Sequence, residues 1–130
     1  MGADGKKTIL VVDDDEVQLA ITGNILQDSY KILTAKSGTE AISYFIKGSF
    51  PDLVLLDIMM PEMDGWETYR KLKALSLLRD IPIVFCTAVL DKSSERQAYE
   101  LGAADYITKP IDPDELLNRI RLVFSGKNRK

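Results

Sequence analysis

Histidine is absent from all 130 residues of the chain. That removes Ser-His triads, a His general base, an HExxH metal helix and any phosphohistidine carried by the chain itself. Cysteine occurs once, as Cys86 inside an apolar run, so neither an internal disulfide nor a Cys-based zinc site can form, and a buried structural thiol is expected. No apolar stretch approaches the ~18 residues of a membrane span. No secretory pattern opens the sequence either, so a reducing, cytoplasmic setting without a membrane partner is expected. Positive charge is not in excess: 17 Lys and Arg stand against 20 Asp and Glu, a net charge of −3. Basic residues gather only at Lys127, Arg129 and Lys130, so direct nucleic-acid binding is not expected. Repeats and low-complexity linkers are missing too. What is left is one domain of ordinary composition, long enough to bury a core without disulfides or structural metals.

Short apolar runs alternate with longer amphipathic stretches. The runs are Thr8–Val12, Lys31–Ala35, Leu53–Leu56, Pro82–Cys86 and Ala104–Thr108. Each has the length of a strand, and the stretches between them suit helices. Five such repeats predict an α/β domain: a parallel sheet with helices on both faces. Helix starts are signalled by Asp15 with Gln18, Ser37 with Glu40, Asp64 with Glu67 and Asp112 with Glu115, and Pro113 suits a first helical position. The last helix carries Leu116, Leu117, Ile120, Val123 and Phe124 as an apolar stripe, and Gly102 is a natural stop for a weakly amphipathic fourth helix over 92–101. Runs one, three and four are almost wholly apolar, as strands buried on both faces should be. Run two carries Lys31 and Thr34, and run five Asp105, Tyr106 and Thr108, which suits edges. With right-handed crossovers this predicts the doubly wound, flavodoxin-like order 2-1-3-4-5, with ligands at the switch between strands one and three.

The polar residues fall at the carboxyl ends of these runs. Asp13, Asp14 and Asp15 follow run one, Asp57 follows run three, Thr87 follows run four, and Lys109 follows run five. In a parallel sheet those ends share one edge, so carboxylates, a hydroxyl and an ammonium converge. Clustered carboxylates raise one another's pKa, and a hard cation with oxygen ligands relieves that. Mg²⁺ suits few carboxylates together with phosphate and water, and Lys109 offers a point charge for a phosphoryl oxygen. Singly, each residue has a plainer role: Asp15 as a helix cap, Asp13 and Asp14 as turn residues, Thr87 as a satisfied hydroxyl, Lys109 as a surface lysine. Asp57 directly after four apolar residues has no such role, and the joint pattern points to a site.

Four segments carry a family resemblance: Ile9 to Asp15, Leu55 to Gly65, Thr87-Ala88 and Lys109-Pro110. Together they resemble the receiver domain of two-component response regulators, over roughly residues 8–125. The resemblance implies an N-terminal extension at 1–7, a receiver at 8–125 and a tail at 126–130. It implies Asp57 as phosphoacceptor, with Asp14, Asp57 and the Met59 carbonyl as direct Mg²⁺ ligands and Asp13 acting mainly through water. Thr87 is implied as the switch hydroxyl, Lys109 as the lysine paired with the phosphoryl group, and Tyr106 as the aromatic switch, with a cis peptide at Lys109-Pro110. An exposed edge-strand tyrosine is the plainer reading of Tyr106. The donor implied is a phosphohistidine on a histidine kinase or histidine phosphotransfer protein. The output implied is repacking of the helix 4–strand 5–helix 5 face against a downstream protein or a further domain, in a monomer or an activation-dependent dimer.

A receiver in this sense is a phosphoacceptor signalling domain and not an enzyme beyond self-catalysed transfer and hydrolysis. Two rivals stay open from residues alone. Asp13 to Val17 also fits the DxDx[TV] pattern of haloacid dehalogenase-like phosphatases, with Asp13 as nucleophile and Asp15 as acid/base. The other is a docking module that keeps the fold without using phosphorylation.

Overall fold

The computed structural model describes residues 5–76 and 79–126, so the basic residues at 127, 129 and 130 and the start of the N-terminal extension lie outside the described residues. The strands are β1 (Thr8–Val12), β2 (Lys31–Ala35), β3 (Leu53–Leu56), β4 (Ile83–Thr87) and β5 (Asp105–Thr108). The helices between and after them are α1 (Glu16–Leu26), α2 (Gly38–Ile46), α3 (Gly65–Ser76), α4 (Lys92–Leu101) and α5 (Pro113–Ser125). All strand pairs are parallel, in the order β2-β1-β3-β4-β5, as the polarity of the runs predicts. Strand four is displaced by one residue from the apolar run, because Pro82 has no N–H for the ladder while Thr87 pairs with Thr108.

Alternation of side chains across each strand builds two cores. Leu10, Val12, Val54, Leu56, Ile83, Phe85 and Tyr106 face one side, where α2, α3 and α4 supply Phe45, Tyr69, Leu72 and Ala98. Ile9, Val11, Leu53, Leu55, Val84, Cys86 and Ile107 face the other, where α1 and α5 supply Leu19, Leu26, Leu116, Ile120 and Val123. The stripe read on the last helix is therefore its buried face.

Helix ends follow the expected chemistry. Asp15, Ser37, Asp91 and Asp112 cap α1, α2, α4 and α5 with their side chains, and the Asp64 carboxylate accepts the Glu67 N–H at 3.0 Å. Gly102 ends α4 at φ 107°, where a side chain would be strained. The acids three residues after the caps depart from the capping-box expectation: Glu40 accepts the Lys36 N–H, one residue before the Ser37 cap, while Glu67 pairs with Lys71 and Glu115 with Arg119.

Edge placement of β2 and β5 is as expected, but the reason given for β5 needs correction. Asp105 and Tyr106 are buried, because α4 and α5 close over the two faces of this edge strand.

Cys86 is buried, and that burial pushes its thiol up to about 12. Iodoacetamide at neutral pH is expected to leave the folded chain unmodified and to add one label after denaturation, read by intact mass. Labelling of the native chain would show that the β4 end opens readily.

Candidate functional site

The parallel ladder carries its hydrogen bonds one residue past the strands, and this fixes the site's backbone. Asp13 N–H donates to the Ala35 carbonyl at 3.0 Å, Asp57 N–H to the Val12 carbonyl at 3.1 Å, and Lys109 N–H to the Thr87 carbonyl at 2.9 Å. Each functional residue after a strand is thus held by the neighbouring strand before its side chain does anything. The Lys109–Pro110 peptide is cis, as the resemblance implies.

Four of the expected side chains, Asp13, Asp14, Asp57 and Lys109, converge. Lys109 Nζ lies 2.6 Å from Asp13 Oδ2 and 3.1 Å from Asp57 Oδ2, with Asp13 and Asp57 both buried. Carboxylate oxygens of Asp13, Asp14 and Asp57 lie within 4.8 Å of one another, with Asp14 exposed. Burial holds the Asp13 carboxyl above the usual carboxylate range, although Lys109 and the Asp15 N–H pull the other way. Burial alone would lower Lys109, but its pairing with Asp13 and Asp57 leaves it above the ordinary lysine value. Three carboxylates around one ammonium leave a surplus of negative charge in a partly dry cleft. An oxygen-liganded cation fits that donor set.

Thr87 is fully buried, and its hydroxyl oxygen accepts the Val89 N–H at 3.3 Å. Tyr106 is turned into the molecule, which corrects its plainer reading as an exposed edge tyrosine. Its hydroxyl donates to the Val89 carbonyl at 2.7 Å, and burial, with Asp91 and Glu95 nearby, pushes its phenol up to about 12. Val89 therefore touches both switch candidates, Thr87 through its N–H and Tyr106 through its carbonyl. Met59 is exposed, with its N–H 3.3 Å from Asp57 Oδ1. Asp15, the acid/base of the phosphatase reading, is exposed and accepts the Val17 N–H with one carboxylate oxygen at the start of α1.

Sequence reading missed two features. Gly65 is one: its N–H donates to the Ile58 carbonyl at 2.8 Å, and α3 begins hard against the backbone of Asp57 and Ile58. The other is a buried knot around Asp105, whose carboxylate is held by Tyr99 and Arg119. The only signal for it in the sequence is an acid at an edge strand with a tyrosine six residues before and an arginine fourteen residues after.

The sequence matches the response regulator receiver domain family over residues 9–121. The chain belongs to that family. It is 42% identical over 126 residues to a Porphyridium aerugineum protein named Probable transcriptional regulator ycf27, an alignment covering 92% of this chain and 48% of that protein. The chain thus spans about half the length of that relative. Among solved structures, the signal receiver domain of a signal transduction histidine kinase from Syntrophus aciditrophicus is 34% identical, with a TM-score of 0.80 covering 95% of this chain and 94% of that one. A chain of the CheX–CheY–BeF3–Mg²⁺ complex from Borrelia burgdorferi is 27% identical, with a TM-score of 0.83 over 91% and 89% of the two chains.

Proposed function

We propose that this receiver domain accepts a phosphoryl group on Asp57 from a phosphohistidine of a partner protein and signals through the α4–β5–α5 face. The observation that carries this reading is the buried Asp57 carboxylate, contacted by Lys109 and clustered with Asp13 and Asp14 at the carboxyl edge of the sheet. The phosphohistidine lies outside these 130 residues, which contain no histidine. The setting proposed is the cytoplasm, and the receiver unit is taken as residues 8–125, with 1–7 and 126–130 as flanking segments.

Asp14, Asp57 and the Met59 carbonyl would hold Mg²⁺, with Asp13 acting through water. Once bound, the ion would neutralise charge on the equatorial phosphoryl oxygens. The remaining work falls to the chain. An Asp57 carboxylate oxygen forms the bond to phosphorus as the bond from phosphorus to the donor nitrogen breaks, with the two in line. Lys109, already within hydrogen-bond reach of Asp57 Oδ2, turns its ammonium to a phosphoryl oxygen while keeping Asp13 as its partner. The Thr87 hydroxyl then has a reason to leave the Val89 N–H and donate to the phosphoryl group. Because Val89 also accepts from Tyr106, that step bears on the Tyr106 ring and on α4. The Borrelia complex that holds the chain of the same fold contains BeF3 and Mg²⁺, which supports the same chemistry here. The downstream partner is a protein surface or a further domain of a longer chain, with a monomer or an activation-dependent dimer as the signalling form.

The test is intact mass after incubation with acetyl phosphate and Mg²⁺. A single added phosphoryl group that fails to form when the ion is chelated before the donor is added supports the reading. No addition from either acetyl phosphate or a phosphorylated histidine phosphotransfer protein would leave a docking role.

Met59 and Val89 stand two residues after Asp57 and Thr87, positions that in receiver domains flank the route of the hydrolytic water. Met59 is 67% exposed and carries no group that orients water. A long-lived acyl phosphate is therefore expected, and Met59→Asn should shorten its lifetime by roughly threefold to tenfold, a share of the ~10²–10⁴ that a positioned proton-transfer group supplies. Loss of the phosphoryl group, followed by mass after donor removal, checks this. An unchanged lifetime would count against it.

A further inference from the structure

Away from Asp57, three side chains meet around the open edge of the sheet. Asp105, the first residue of β5, is 3% exposed. Its carboxylate accepts the Tyr99 hydroxyl at 2.8 Å, Arg119 Nη2 at 2.8 Å, Arg119 Nε at 2.9 Å and the Tyr106 N–H at 2.8 Å. Arg119 also places Nη1 3.1 Å from Glu115, one turn earlier on α5. Tyr99 belongs to α4 and Arg119 to α5, and these helices pack on opposite faces of the sheet, with Ala98 in one core and Leu116, Ile120 and Val123 in the other. The two side chains therefore reach one carboxylate from opposite sides of the edge strand.

A buried carboxylate is costly unless its lone pairs are met, and a bidentate guanidinium with a phenol meets them. Pulling either helix away leaves the acid short of partners, so the arrangement resists movement of one helix without the other. It also sits next to the switch. Asp105 holds the Tyr106 N–H, the Tyr106 hydroxyl holds the Val89 carbonyl, and the Val89 N–H is held by Thr87. A continuous line of contacts runs from the strand-four hydroxyl to the guanidinium on α5.

We propose that Tyr99, Asp105 and Arg119 form a latch that ties α4 to α5 around β5, so that displacement of α4 is transmitted to α5 through the Asp105 carboxylate. The latch sets how far a change at Thr87 and Tyr106 spreads across the output face. That last step rests on the proposed switching role of those two residues; the coupling of the helices does not.

Hydrogen exchange followed by mass spectrometry tests the coupling on the full chain, in wild type, Tyr99→Phe, Arg119→Lys and the double variant, without any phosphoryl donor. Tyr99→Phe removes one oxygen and keeps the ring. It is expected to speed exchange of α4 amides roughly tenfold to a hundredfold, the worth of one hydrogen bond to a charged acceptor. It should also speed exchange in α5, where nothing was changed, and leave α1 and α2 as they were. In the double variant the two effects should combine to less than their product, the mark of a shared interaction. Faster exchange confined to α4 in Tyr99→Phe would overturn the latch, whether or not Arg119→Lys folds. So would effects in α4 and α5 that simply multiply. Because no phosphoryl group is involved, a failed latch and a failed phosphoacceptor reading are told apart: the latter is read by intact mass on the wild-type chain.

Discussion

Asp57→Asn is expected to take phosphoryl uptake from one group per chain to none, with acetyl phosphate and Mg²⁺ as donor and ion and intact mass as readout. Asn keeps the shape of Asp but offers a neutral carbonyl oxygen in place of the nucleophilic carboxylate. The fold should tolerate it. Asp57 N–H keeps its bond to the Val12 carbonyl, and Lys109 keeps Asp13 at 2.6 Å as its nearer partner. One carboxylate fewer also relieves the crowding among Asp13, Asp14 and Asp57. A thermal melt close to that of wild type, with a weaker rise on adding Mg²⁺, should accompany the loss of uptake, since an ion stabilises the folded state in proportion to its affinity there.

The variant also separates the rival chemistries. A phosphoryl group that survived in Asp57→Asn and vanished in Asp13→Asn would make Asp13 the nucleophile and return the haloacid dehalogenase-like reading. The geometry weighs against that outcome. Asp13 is buried, with its carboxylate committed to Lys109 and to the Asp15 N–H. A nucleophile needs an oxygen free to attack, and both Asp13 carboxylate oxygens already accept hydrogen bonds, Oδ1 from the Asp15 N–H and Oδ2 from Lys109.

Much of this was legible in the sequence, for a physical reason. In a parallel sheet every strand runs the same way, so a polar residue just after an apolar run lands on a known edge. Asp13, Asp57, Thr87 and Lys109 could be gathered without coordinates. Strand order was legible because burial on two faces demands apolar residues, and β3 meets that demand throughout while β1 and β4 depart from it only at one end, Thr8 and Thr87. What stayed hidden depends on approach across the fold. Asp105 reads as edge polarity until α4 and α5 are seen to close over β5, and Tyr106 reads as exposed for the same reason. The splitting of Lys109 between two carboxylates is likewise a matter of distances, which spacing does not carry. Gly65 closes a segment that carries the family resemblance, but its approach to the backbone of Asp57 and Ile58 is again a matter of distances.

Gly65→Ala is the second large effect, and it joins fold to site. A Cβ at Gly65 would lie 2.3 Å from the Asp57 carbonyl oxygen and 2.6 Å from Ile58 Cα, both backbone atoms with no rotamer to yield. The first turn of α3 must retreat, and the Gly65 N–H bond to the Ile58 carbonyl must lengthen. Overpacking against fixed backbone costs about 3 kcal/mol, which in a domain of this size lowers the melting temperature by roughly 10 °C. Gly23→Ala is the matched control. Gly23 lies inside α1 with nothing within 4 Å of its added Cβ, so the same substitution there should stabilise by about 0.5–1 kcal/mol. The retreat of α3 also shifts the main chain that carries Asp57, so the Mg²⁺-dependent rise in melting temperature should shrink in Gly65→Ala and persist in Gly23→Ala. A Gly65→Ala melt within a degree or two of wild type would mean that α3 does not sit so close. A destabilised variant with its full Mg²⁺ response would mean that the strand ladder alone, through the Val12 carbonyl, places Asp57. The close approach of a helix start would then be a packing feature of the fold and no part of the site.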